Sequence, residues 1–184
     1  SLQRCLTSLQ AQRDVDLTAL ILLQGFGTAD QETVRDAISR MWLSEPAPRV
    51  VNVPNPTGAD VRSALLNRAL DIHYAETAND FFYVLDHDDL VFSHALASLT
   101  GPVVGSPAAV SFGKVLVARY LGLGNYDFLY RMEDHFRATE RDIAELAIDN
   151  FFPIHGYVYH TRAMPQGRLR FNESMDRLED FEAL

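Results

Sequence analysis

The sequence predicts an α/β domain with a mostly parallel central sheet flanked by helices. Three observations carry this. Apolar runs of strand length alternate with segments of helical periodicity through the first half of the chain. Two of the runs, LTALILL at 17–23 and FFYVL at 81–85, are continuous rather than alternating, as strands covered on both faces are. The second run leads straight into Asp86-His87-Asp88-Asp89, and sites in such sheets gather where strands end.

The elements follow in order. Leu2, Leu6 and Leu9 recur at helical spacing, so residues 2–12 read as an amphipathic helix with Cys5 in its apolar pattern. Residues 17–23 form the first strand. Thr28-Ala29-Asp30-Gln31 has the form of a capping box, and Val34, Ile38 and Met41 continue a helix with Trp42 on its buried face. Residues 49–53 form the second strand, and the Pro-Asn-Pro-Thr-Gly cluster at 54–58 is a turn. Val61, Leu65, Leu66, Ala69 and Ile72 place a helix over 59–77, before the third strand at 81–85. Beyond it, 108–117 reads as strand. Residues 119–148 mix aromatics with many charges and read as helices or a flexible connection. A strand over 156–160 and a helix opening at 176–184 complete the pattern. No linker divides residues 1–184, which form one domain.

Composition narrows the partners. Of 184 residues, 47% are hydrophobic, enough for a sizeable core. The net charge of −9 argues against nucleic acid and anionic membrane as main partners, since both demand a basic footprint. A nucleotide substrate is not excluded, because a divalent cation offsets diphosphate charge locally. Cys5 is the one cysteine, so no internal disulfide forms, and a reducing compartment is the plain reading. No apolar run reaches the ~18 residues of a membrane span, and no leader is visible.

Three carboxylates within four residues repel one another unless a cation or several hydrogen bonds offset them. In extended chain Asp86 and Asp88 lie on one side, and hard oxygen donors of this kind suit Mg²⁺ or Mn²⁺. A solvated turn is the alternative, and the position after FFYVL weighs against it. A haloacid-dehalogenase-type phosphatase also places Asp-x-Asp after an apolar strand, with the first Asp as nucleophile. That pattern sits near the start of a chain and has Thr or Val where this sequence has Leu90. The spacing of an EF-hand calcium loop is absent. His87 reads as an exposed spacer. His155 and His160 bracket the 156–159 strand as rim residues, with one of them, His155 the candidate, able to approach the metal or a diphosphate. The aromatics at 126, 128, 130, 151, 152, 157 and 159 are core residues for the most part, with room among them for a sugar-stacking platform.

Taken in order, the segments resemble the family 2 glycosyltransferases, whose fold is GT-A. The resemblance runs nearly end to end. Residues 2–12, LQRCLTSLQAQ, are similar to that family's first helix; Pro54-Asn55, Gly58 and Leu66-Asn67 resemble its Asn…Gly…Arg-Asn stretch. Phe82 through Asp89 resembles its apolar strand and Asp-x-Asp signature. Asn150-Phe151-Phe152-Pro153-Ile154-His155 is similar to an Asn-x-x-Pro-x-His segment, and Phe171-Asn172-Glu173 with Glu179-Asp180 resembles the Phe-Asp/Asn-Glu…Glu-Asp ending.

The resemblance implies an inverting, metal-dependent transfer of sugar from a nucleotide-diphosphate donor to a glycan or lipid-linked acceptor. It implies that Asp88 holds Mg²⁺ or Mn²⁺, that Asp86 lies by the donor's ribose and sugar, and that Asp180 is the general base with Glu179 beside it. Gln24, Asn67 and Arg62 are the further donor-binding candidates. Gln24 stands where the family has a base-contacting Asp, and Arg62, one turn before Leu66, stands in for the family's Arg. A helix N-terminus at Glu179-Asp180 favours their ionised form, which suits a base. The resemblance also implies a first strand before this helix and helices after Asp180, so that the natural domain extends past both ends. It places the protein in the cytoplasm, at the inner face of the membrane where such further segments bind it peripherally. A non-catalytic domain of the same origin, binding a glycan or a partner, is the alternative in another class.

Overall fold

A computed structural model describes residues 2–55, 58, 62–76, 78–123, 126–134, 136, 141–147, 152–164 and 169–174. The N-terminal half follows the expected alternation. Helix α1 (Leu2–Gln10) leads to strand β1 (Leu20–Gln24), helix α2 (Thr28–Met41) and strand β2 (Arg49–Val53). β1 and β2 pair in parallel, from Leu20 opposite Arg49 to Gln24 opposite Val53. Helix α2 is capped at Gly27 rather than by a Thr28 box; the Gln31 side chain instead donates to the Phe26 carbonyl at 3.0 Å. Asn52 fixes the same loop, accepting from Phe26 N–H and donating to its carbonyl, both at 3.1 Å.

Helix α3 (Arg62–Glu76) and strand β3 (Phe81–Tyr83) come next, followed by helix α4 (Ala95–Thr100) and strand β4 (Val110–Phe112). Strands β5 (Val117–Leu123) and β6 (Tyr126–Glu133) form an antiparallel ribbon across the segment expected to be helical or flexible. Strand β7 (Tyr157–His160) is the centre of a three-stranded sheet, β3-β7-β4.

That sheet overturns the expected fold class. β7 pairs antiparallel with β3, Phe81 opposite His160, and antiparallel with β4, Val110 opposite Tyr159. Among the described residues the parallel pairing is confined to β1 and β2, and the sheets have two or three strands each. The described residues therefore do not form the mostly parallel central sheet of a GT-A domain. An apolar run such as FFYVL reports burial on both faces, not the direction of its neighbour. Here an antiparallel strand, β7, supplies that neighbour, and helices and side chains from elsewhere cover both faces.

The core explains why β7 takes the centre. Tyr157, Val158 and Tyr159 are each 1% exposed. Tyr157 and Tyr159 join Leu66 and Leu70 of α3, Phe82, Phe152 and Phe171 in the main apolar cluster. Val158 faces the other way, onto Leu96 and Leu99 of α4. Burial of a large apolar side chain is worth about 1.5–3 kcal/mol, so these three residues anchor both layers. The tyrosine rings meet edge to face, 5.3 Å apart at 89°. A third cluster joins Leu6, Ile38 and Trp42, placing α1 and α2 on the side of β1 where Ile21 points.

Candidate metal centre

The chain leaves β3 in extended form and turns at the acidic cluster, where Asp89 N–H donates to the Asp86 carbonyl at 3.1 Å. A turn brings residue i and residue i+3 to one side, whereas extended chain brings i and i+2 together. Hence Asp86 and Asp89 converge, and Asp88 points out, 67% exposed, with His87 Nδ1 3.9 Å from its Oδ1. The third member comes from the turn preceding β7. His155 Nδ1 lies 3.0 Å from Asp89 Oδ2, and ligand atoms of Asp86, Asp89 and His155 all fall within 4.8 Å of one another.

Each group is held by its neighbours. Arg62, in the first turn of α3, places Nη2 3.3 Å from both carboxylate oxygens of Asp86. The Cys5 thiol approaches the Asp86 carbonyl at 3.6 Å, tying α1 to the cluster. Tyr83 donates its hydroxyl to the His155 carbonyl at 2.8 Å, so the last residue of β3 fixes the backbone that carries the imidazole. His155 Nδ1 is buried, yet among the described residues its geometry toward Asp89 is that of an ion pair and not a hydrogen bond.

The electrostatics share one cause, negative charge held partly away from water. Burial raises the Asp89 carboxyl above its ordinary range; His155 opposes this, while Asp88 and Asp86 add to it. Burial and then Asp89, Asp88 and Asp86 push the Cys5 thiol up to about 11, so it stays protonated and unreactive. The Tyr83 hydroxyl is raised by burial and by Asp89 in the same way.

Two carboxylates and an imidazole form a donor set for a divalent cation of the Mn²⁺ kind, which accepts nitrogen more readily than Mg²⁺ does. A cation there would meet the buried Nδ1 atom of His155 and relieve the repulsion between Asp86 and Asp89. The residues present fit such an ion.

The remaining candidates fall in different places. Gln24, at the end of β1, lines the same cleft as Arg62 and Asp86. Gly25, with φ +69°, turns the chain there. Asn67 is 8% exposed and serves the fold: it donates to the Phe171 carbonyl at 2.9 Å and to Glu173 Oε1 at 2.8 Å, and its own oxygen accepts from Phe171 N–H. Glu179 and Asp180 lie outside the described residues. His87 is exposed, and Cys5 and Trp42 are buried, as expected. Of the aromatics, Phe152, Tyr157 and Tyr159 are core, while Phe128 and Tyr130 project from the β5–β6 ribbon. Asp89 is the candidate ligand to which the sequence reading, though it placed the residue in the acidic cluster, gave no role of its own. Its signal was present as the third carboxylate of the cluster, and it needed the turn to be recognised.

No protein-family model matches the sequence, and no curated protein matches it. Among the described residues no helix is long and apolar enough to cross a membrane.

Proposed function

We propose that this chain binds a nucleotide-diphosphate sugar through a divalent cation, Mn²⁺ or Mg²⁺, and transfers the sugar to a hydroxyl of a glycan or lipid-linked acceptor. The observation that carries the reading is the convergence of Asp86, Asp89 and His155, with Arg62 beside them, at the end of a buried strand. The reading rests on the site and on the sequence resemblance around it, not on the arrangement of the sheet. A bound cation would supply Lewis acidity toward a diphosphate leaving group. Asp86, Asp89 and His155 hold it, and Tyr83 keeps His155 in place. Arg62 lies where a second positive charge can meet phosphate oxygens once its contact with Asp86 loosens. Gln24 offers an amide to the donor's base. Asp180, by resemblance, takes the acceptor proton, with Glu179 beside it. The same reading places the protein in the cytoplasm, at the inner face of the membrane where the acceptor is lipid-linked.

Titration calorimetry with nucleoside diphosphates in the presence and absence of Mn²⁺ tests the reading. Wild-type chain binds only with the metal, and Asp89→Asn and His155→Ala weaken that binding at least ~10-fold, the scale of a lost contact to a charged group. Asp88→Asn, altering an exposed side chain, leaves it within about twofold. Metal-independent binding, or equal loss in all three variants, overturns the assignment. If diphosphate binds as expected but no nucleotide-sugar is cleaved with any acceptor, the site is a binding module and the transferase reading falls.

A further inference from the structure

Strand β5 has seven residues, of which Arg119 is the one charged, and among the described residues no strand pairs with its second edge. Its partner β6 is protected in two ways. The register steps from Arg119 opposite Arg131 to Tyr120 opposite Leu129, so Tyr130 is an extra residue that bulges β6. That strand also contains Asp127, Arg131 and Glu133. Bulges and charges keep a strand from pairing with another chain. β5 has no bulge and no proline. Tyr120 and Leu121, at its middle, are 41% and 52% exposed. The midpoint is nonetheless anchored to the body of the chain, because the Arg4 guanidinium of α1 stands over the Tyr120 ring, 5.5 Å from its centroid.

We propose that two copies of this chain pair through β5, antiparallel, about a two-fold axis that passes between their Tyr120 residues. The two ribbons then form one four-stranded sheet, β6-β5-β5-β6. The segment VARYLGL selects a second copy as the occupant, because it is complementary to its own reverse. Centred on Tyr120, all seven residues find a partner. Val117 stands opposite Leu123, Ala118 opposite Gly122, Arg119 opposite Leu121, and Tyr120 opposite its own copy. Large residues meet large and small meet small. Ala118 and Gly122 share a face with Tyr120 and leave room for two rings side by side, a cross-strand aromatic pair. A centre one residue earlier sets Arg119 against Arg119, a destabilising like-charge pair. A centre one residue later leaves Val117 and Ala118 beyond the end of the partner strand. Charge agrees with this placement. At a net charge of −9 two copies repel over most of their surfaces, and an edge strand without a carboxylate is where they can approach. A lipid surface is disfavoured, since a row of backbone N–H and C=O groups stays unpaired in hydrocarbon.

Sedimentation equilibrium over a concentration series up to ~1 mM tests the pairing, since even a weak dimer is populated there. Wild-type chain forms a dimer and goes no further, because a two-fold contact uses up the edge. Leu121→Lys sets a cation opposite Arg119 of the second copy, and Leu121→Glu sets an anion there. Both remove the same exposed apolar side chain. Two symmetric contacts change at once, so the dissociation constant of Leu121→Lys exceeds that of Leu121→Glu ~10-fold. Mild oxidation reads the register independently of charge. Tyr120→Cys cross-links to its own copy, because residues opposite each other lie about 5 Å apart, within disulfide reach. Ala118→Cys does not, being four residues from its own copy along the strands, roughly 13 Å. Wild type is the blank, its Cys5 being buried. A chain that stays monomeric throughout overturns the proposal. Equal dissociation constants for the two Leu121 variants, or cross-linking of Ala118→Cys as fast as of Tyr120→Cys, assigns the dimer to another surface and overturns it too. Binding of monomeric chain to neutral phospholipid vesicles, lost in Leu121→Lys, gives the ribbon to a membrane and does the same.

Discussion

His73 shows how one side chain sets a pH response. It is 6% exposed on α3, with Nε2 2.8 Å from Thr161 Oγ1. Burial lowers its pKa below 6.5, the Arg162 charge lowers it further, and Asp80 opposes both. The unfolded chain therefore takes up the proton first as pH falls, and the folded chain resists it. The stability tied to neutral His73 is whole above about pH 6.5 and drains away as pH falls below that value, until the folded state also protonates. Urea midpoints measured from pH 7.5 down to 5 should fall more steeply for wild type than for His73→Gln, and parallel curves would show that His73 is not responsible. The acidic cluster was legible at the same scale only in part. Sequence located the carboxylates and named His155 and Arg62. It assumed extended chain, in which Asp86 and Asp88 agree in direction, and so it passed over Asp89. The choice between i+2 and i+3 is made by one hydrogen bond, Asp89 N–H to the Asp86 carbonyl, which no spacing rule encodes.

At the scale of elements, the approach to β7 is governed by Gly156. A methyl group there would fall on the Phe152 ring and lie 2.7 Å from Val115 Cγ2. Neighbouring backbone is fixed as well, because Gly113 N–H donates to the Gly156 carbonyl at 2.8 Å. Gly156→Ala should cost about 1–3 kcal/mol through overpacking, seen as a lower denaturation midpoint with an unchanged slope. A change under 0.5 kcal/mol would mean that Phe152 has room to move. Most helices and core strands were legible, since α1, α2, α3, β1, β2, β3 and β7 each overlap an expected segment. The pairing direction of β3 was not, because burial on both faces is equally served by a parallel or an antiparallel neighbour. The β5–β6 ribbon was missed for a related reason. Its residues Tyr120, Leu121, Phe128, Leu129 and Tyr130 are all more than 40% exposed, so neither face alternates against a core and no period of two marks the strands.

The whole molecule is tied together at the acidic turn, where α1, α3, β3 and the approach to β7 all reach one site through Cys5, Arg62, Tyr83 and His155. An ion held there belongs to the folded state alone, so Mn²⁺ should raise global stability by mass action, about 2.7 kcal/mol at a hundredfold excess over its dissociation constant. Urea unfolding with and without Mn²⁺ measures this, and the increment should vanish in Asp89→Asn. An equal increment in that variant would place the ion elsewhere.

The central position of β7 also has a consequence in time. Phe81 pairs with His160, and 79 residues of chain (160 − 81) separate them. At about 5–20 residues per second, a ribosome needs roughly 4–16 s to deliver the second after the first. Once Phe112 has been added, β3 and β4 have both been made and their shared partner has not. Asp86 and Asp89 face water, and His155 does not yet exist beside them. The candidate metal centre is therefore a late product of synthesis, and the newborn chain passes through a period in which two apolar strand edges wait uncovered.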